Sequence, residues 1–234
     1  MIEELEIETY LSISKNKFGI YLFDKKKMST LFKEELNIVD QIEDLQLKKL
    51  SNFLDDNIFK IEKLMGNFIN NIFVVIETDK IFTTNMSLKK KNYDKIIKFK
   101  ILENLLTEAK DLFKENYQDY KIMHMLINKY IFNGEIHSNF INNLKSDYIC
   151  LEINFICIPK KLSLEINQTL DKYQIKINKF LDNRYINSLF SDHEIETAHK
   201  FCKVLSGYNE NEVNLVSKNQ EKIGFFEKFF QLFS

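Results

Sequence analysis

Tryptophan is absent from the 234 residues, proline occurs once, glycine five times and cysteine three times. So few glycines and prolines exclude collagen-like and low-complexity chains. Cys150, Cys157 and Cys202 are odd in number, widely spaced and set in apolar sequence. They read as reduced, buried thiols of a cytoplasmic protein rather than a disulfide framework, and the absence of a CxxC pair removes zinc and redox chemistry. No apolar run approaches the roughly 18 residues that span a bilayer. The start, Met1-Ile2-Glu3-Glu4-Leu5-Glu6, is acidic where a secretory signal is basic. An excess of one charge is also missing: 33 Lys and Arg stand against 34 Asp and Glu, a net charge of −1, so nucleic acid is not an expected partner. The runs Lys25-Lys26-Lys27 and Lys89-Lys90-Lys91 read as solvated turns.

Catalytic patterns are missing as well. There is no glycine-rich phosphate loop, and no serine or cysteine has a visible base partner. His193 and His199 are six residues apart, whereas two histidines facing one metal on a helix need a spacing of four. His124, in an apolar stretch, reads as a hydrogen-bonded packing residue. The expectation is therefore a chain that is no enzyme and holds no cofactor or metal.

What is present is a folding pattern. Hydrophobic residues make up 44% of the chain, enough to core one large domain or two small ones. Residues 9–23 alternate apolar and polar around a break at Lys15-Asn16-Lys17, a β-hairpin, and a third strand follows at 29–38. Leu47, Leu50, Leu54, Ile58, Ile61 and Met65 recur at helical spacing, and Gly66 is suited to end that helix. Ile72-Phe73-Val74-Val75-Ile76 is continuous enough for a strand covered on both faces. A second unit opens with a short strand at 80–86 and a helix that Asp94 caps. It continues with strands at about 121–133 and 148–158, a helix capped by Ser163, and a strand through Ile175 and Ile177. A helix at about 192–205 and a polar linker at 207–219 lead to the tail. This order predicts a mixed α/β (α+β) fold.

The same order and several short strings resemble the FtsA family, actin-like bacterial cell-division proteins that link the tubulin-like FtsZ to the membrane. The strings are Ile61-Glu62-Lys63-Leu64-Met65-Gly66 leading to Ile69, Ile72 and Val74-Val75-Ile76, then Ile122-Met123-His124-Met125-Leu126 with Tyr130-Ile131-Phe132-Asn133-Gly134. Leu151-Glu152 and Ile223-Gly224-Phe225-Phe226 complete the set. The resemblance implies a partial actin-like (RNase H-like) 1A-type subdomain over 1–79 and 181–206, and an inserted 1C-type subdomain over 80–180 that contacts division proteins and other copies of itself. Ser12 and Ser14 stand where the family's first phosphate loop has Asp and Gly, Lys17 alone remaining. Ile127 stands for the family's proline and Asn133 for its turn aspartate, and a Gly-Met-x-Gly string is absent. The sequence between the 1C-like stretch and the tail leaves no room for the second half of the actin fold, which supplies the rest of the nucleotide cleft and the groove for the FtsZ tail. Nucleotide binding is thus not expected.

On a helical wheel, Ile223, Phe225, Phe226, Phe229, Phe230, Leu232 and Phe233 fall within half the circumference, opposite Gly224, Glu227, Lys228, Gln231 and Ser234. Such a face either docks on the protein's own core or sinks into the headgroup boundary of a membrane, and the resemblance favours lipid. The expected function is a non-catalytic division scaffold on the cytoplasmic face of the membrane, with 220–234 as membrane-targeting helix. The rival is a soluble interaction module like PilM, a pilus-assembly member of the actin family.

Overall fold

A computed structural model of the chain describes residues 6–38, 45–190 and 195–214. Its described residues divide into two compact units. The first holds residues up to Phe82, with 119–123 and 157–208; the second holds 83–118, 124–156 and the stretch from Asn209. The mixed α/β class expected from the element order is what the structure shows.

In the first unit, β1 (Ile7–Ser14) and β2 (Lys17–Asp24) form the hairpin, turning at Lys15-Asn16, and β3 (Ser29–Asn37) pairs with β2. Helix α1 (Leu47–Met65) ends at Gly66, whose φ of 68° is the left-handed conformation that glycine adopts without a Cβ clash. Strand β4 (Asn71–Glu77) follows, parallel to β1. After the second unit the chain returns through α3 (Lys160–Asp171) to β9 (Lys176–Asp182), parallel to β4. The sheet order is β3-β2-β1-β4-β9. Alternate β2 side chains serve opposite faces: Phe18 meets Phe53 of α1, while Tyr21 and Phe23 meet Phe201 and His199 of α5 (Thr197–Leu205). A sheet covered on both faces explains why β2 and β4 read as nearly unbroken apolar runs. Helix α4 (Asn183–Ser188) follows β9 directly, and the Asp182 carboxylate accepts from the Arg184 and Tyr185 amides at its start.

The second sheet has the order β5-β8-β6-β7, from β5 (Phe82–Ile96), β6 (Tyr120–Phe132), β7 (Glu135–His137) and β8 (Lys145–Pro159). In the second unit α2 (Phe99–Asn116) covers this sheet, with Phe113 stacked on Phe155 at 4.8 Å. The β6–β7 hairpin turns through Asn133 and Gly134, both at positive φ (51° and 93°), as a tight two-residue turn requires. The Asn133 Oδ1 accepts from Ser146 Oγ and the Asp147 amide, each at 2.9 Å, and so fastens the turn to β8. Asn133→Ala should lower stability by about 1–3 kcal/mol, because two donors lose their acceptor. Chemical denaturation checks this.

Four local expectations are corrected. Lys89-Lys90-Lys91 lies within β5 rather than in a turn, with Lys89 Nζ 3.8 Å from the centre of the Tyr148 ring. Lysines on an outer strand keep it from pairing with other chains, so their charge marks an edge rather than a loop. Asp94 does not cap α2; it sits at positive φ in β5 and its carboxylate meets Lys145 at 2.7 Å, while Lys98 precedes the helix. Helix α3 begins three residues before Ser163, which instead donates to the Lys160 carbonyl at 2.8 Å. Strand β9, read from sequence with the strands of 80–180, lies in the first sheet beside β4.

Candidate functional site

Strands β1, β4 and β9 run parallel, so their carboxyl ends, Ser14, Glu77 and Asp182, come to one edge of the first sheet. That edge is where open α/β sheets hold ligands. A cleft of about 50 Å³ lies there, lined by Ser14, Lys15, Asn16, Leu45, Glu77, Thr78, Asp79 and Arg184. It is far smaller than the roughly 300 Å³ at which small-molecule pockets begin.

The cleft's charges are already committed to one another. The Arg184 guanidinium donates to Asp79, and Lys15 Nζ stands 3.8 Å from the same carboxylate. The Arg184 guanidinium, aided by Lys15, holds the Asp79 carboxyl below its usual range. Asn183 donates to Glu77 Oε2 at 2.6 Å, and Asp182 is engaged at the start of α4. Ser14 Oγ bonds the Lys17 amide and carbonyl, both at 3.0 Å, which closes the hairpin turn on itself. Lys17 reaches Glu35 at 2.7 Å. Burial of Glu35 alone would raise its carboxyl, but bonds from Lys17, Tyr21 and Lys33 together hold it low. A metal-bound phosphate needs free carboxylates and converging amides. These carboxylates instead neutralise neighbouring cations or bind amides. Among the described residues no group of His, Cys, Asp and Glu is arranged to hold a metal ion.

The thiols are also built as packing groups. Cys157 is fully buried, which pushes its thiol up to about 12, and burial likewise raises Cys202. A protonated, enclosed thiol is a poor nucleophile.

His124 does sit in the core, fully buried, and its Nδ1 lies 2.8 Å from Glu212 Oε1. That partner lies 88 residues away in the stretch read as polar linker, where nothing in the sequence marks it. Residues 211–213 are in fact laid antiparallel against β6. His199 stands against the Phe23 ring, and the seven apolar residues of the expected membrane helix, Ile223, Phe225, Phe226, Phe229, Phe230, Leu232 and Phe233, lie outside the described residues. Among the described residues no helix is long and apolar enough to cross a membrane.

No protein-family model matches the chain, nor does any curated protein. Among solved structures it is similar to the PilM-PilN type IV pilus biogenesis complex, at 5% identity and a TM-score of 0.42, over 76% of this chain and 48% of that one. It is similar to a Bacteroides thetaiotaomicron protein with actin-like ATPase fold and unknown function, at 13% identity and a TM-score of 0.35, over 80% of this chain and 58% of that one. It is also similar to the cytoplasmic domain of EpsL, an inner membrane component of the Vibrio cholerae type II secretion system, at 10% identity, a TM-score of 0.35 and the same coverages. The chain thus spans about half the length of the solved structures it resembles.

Proposed function

We propose that this protein is a non-catalytic scaffold on an actin-like half-fold, serving cell division in the manner of FtsA. In this reading 220–234 holds it at the cytoplasmic face of the membrane, and the second unit meets division proteins and other copies of the chain. One observation carries the non-catalytic part: at the carboxyl ends of β1, β4 and β9, Asp79 is neutralised by Arg184 and Lys15 and Glu77 is held by Asn183. To admit a nucleotide, those pairs would have to break and a cleft of about 50 Å³ would have to open severalfold.

Calorimetric titration with Mg-ATP tests this directly. The expected trace is flat, with any affinity weaker than about 1 mM. A saturable heat in the micromolar range, lost in Asp79→Ala, would overturn the non-catalytic reading.

A further inference from the structure

The second unit sorts its exposed charge into two places. On and just after β5, six lysines and one aspartate fall between Lys89 and Lys100, a local charge of +5 in a chain whose net charge is −1. Lys145 neutralises Asp94 at 2.7 Å, Lys89 lies over the Tyr148 ring and Lys100 meets Glu103 at 3.0 Å. Lys90, Lys91, Lys95 and Lys98 are exposed and pair with no described residue. On the outer face of α2, a shallow depression of about 420 Å³ is lined by Asn104, Thr107, Glu108, Asp111, Leu112 and Glu115. Lys114 stands 3.8 Å from Asp111, but Glu108 and Glu115 have no cation among the described residues.

Folding explains neither place. Tyr93 and Asp94 sit at φ of 53° and 55°, a kink near the end of β5. A left-handed backbone is costly for a bulky side chain, so glycine would suit position 93 better. Tyr93 returns no burial for that strain: it is 71% exposed, and Ile96 is 54% exposed. The kink is nonetheless clamped. The side-chain amide of the buried Asn92 donates to the Lys95 and Ser146 carbonyls at 2.5 and 2.9 Å, and the amide of the fully buried Ile97 donates to the Leu144 carbonyl at 2.8 Å. Backbone strain held in place by its surroundings clusters at binding and switching surfaces. Helix α2 carries a matching cost, because Glu108, Asp111 and Glu115 repeat one sign at spacings of three and four residues, which weakens a helix.

The two places are complementary in charge, yet α2 itself keeps them apart within one copy. The kink precedes the helix start at Phe99, and Asp111 lies about 18 Å further along the helix at about 1.5 Å per residue. A contact between unlike surfaces of two copies does not close on itself as a two-fold dimer does. We propose that the β5 kink of one copy seats on the α2 depression of the next, so that copies join head to tail in an open row. Lys90, Lys91, Lys95 and Lys98 face Glu108, Asp111 and Glu115, and the Tyr93 ring lies against Leu112. This rests on the reading in which the second unit meets other copies of the chain. A kink already clamped in shape loses little freedom on docking.

Sedimentation velocity of the full chain tests this. The average mass should rise with concentration past that of a dimer, and fall when salt is raised from about 50 to about 500 mM, since exposed charges are screened. The variants Lys90→Glu/Lys91→Glu/Lys95→Glu/Lys98→Glu and Glu108→Lys/Asp111→Lys/Glu115→Lys should each associate at least about tenfold more weakly, because like charges then face each other. Mixed in equal amounts they should recover the row, which also shows both to be folded. Tyr93→Gly should weaken association about tenfold with the melting temperature within about 2 °C of the unaltered chain's, since glycine accepts the left-handed backbone. If the mixture does not recover while the unaltered chain still associates, the proposal is overturned and self-association belongs to another surface, the tail included. A chain that stays monomeric at every concentration overturns both this contact and the self-association it rests on, and leaves the basic kink to an acidic surface of another molecule. Assembly that stops at two copies overturns the head-to-tail arrangement.

Discussion

A chain ending at Asn219 should stay in the supernatant when sedimented with anionic lipid vesicles, while the full chain pellets. The tail carries five phenylalanines with Ile223 and Leu232 on one half of a helical wheel. If each ring gains only about 1 kcal/mol from partial burial in the headgroup boundary, the five together shift partitioning by roughly a thousandfold. Residues 218–234 bring three lysines against two glutamates, so attraction to anionic headgroups is weak. Binding should accordingly change little between low and moderate salt. If neither chain pellets, the phenylalanines serve a protein surface instead. The membrane part of the proposed function then falls, while the argument from the ion-paired cleft stands untouched.

Phe201→Ala should be the most damaging single truncation in the first unit. The ring is 1% exposed and meets Tyr10 at 5.6 Å and Tyr21 at 5.9 Å, both edge-on, so it joins α5 to the β1–β2 hairpin. Removing a buried phenylalanine costs about 3–5 kcal/mol, since the cavity it leaves closes only in part. For a chain of this length that corresponds to a melting temperature lower by about 6–20 °C. Phe68→Ala is the control: its ring is 76% exposed, and its loss should cost no more than about 0.5 kcal/mol. If the two variants melt together, α5 contributes no core and its packing on the hairpin is not stabilising.

The hairpin of 9–23, the helix ending at Gly66 and the buried strand near 72–76 could be read from the sequence because each rests on a local signal. Alternation, a helical stripe and a glycine where the backbone must turn left-handed are all written within a few residues of one another. The Asn133-Gly134 turn, by contrast, entered the reading only through the family resemblance. Where readings missed, a local signal had two meanings. Three consecutive lysines suit a turn and equally the outer strand β5. An aspartate before a helix suits a cap, yet Asp94 is held by Lys145, about 50 residues on. Ser163 carries the chemistry of a cap but falls inside the first turn of α3.

The candidate sites divide the same way. That this chain lacks a glycine-rich phosphate loop, and that Ser12 and Ser14 occupy the hairpin's end, was fixed by the residues themselves. That His124 is a packing residue followed from its apolar neighbours. The sequence alone thus determined most of the elements, their order and the absence of familiar catalytic strings, because these depend on neighbours along the chain, while β7, α4 and the full length of β5 were not read from it. Only the tertiary structure decided that β9 joins β4, that Arg184 closes on Asp79, and that Glu212 crosses 88 residues to reach His124. Those pairings depend on which strand ends and edges the fold brings within about 3 Å, the range at which a hydrogen bond selects a partner and sequence distance no longer counts.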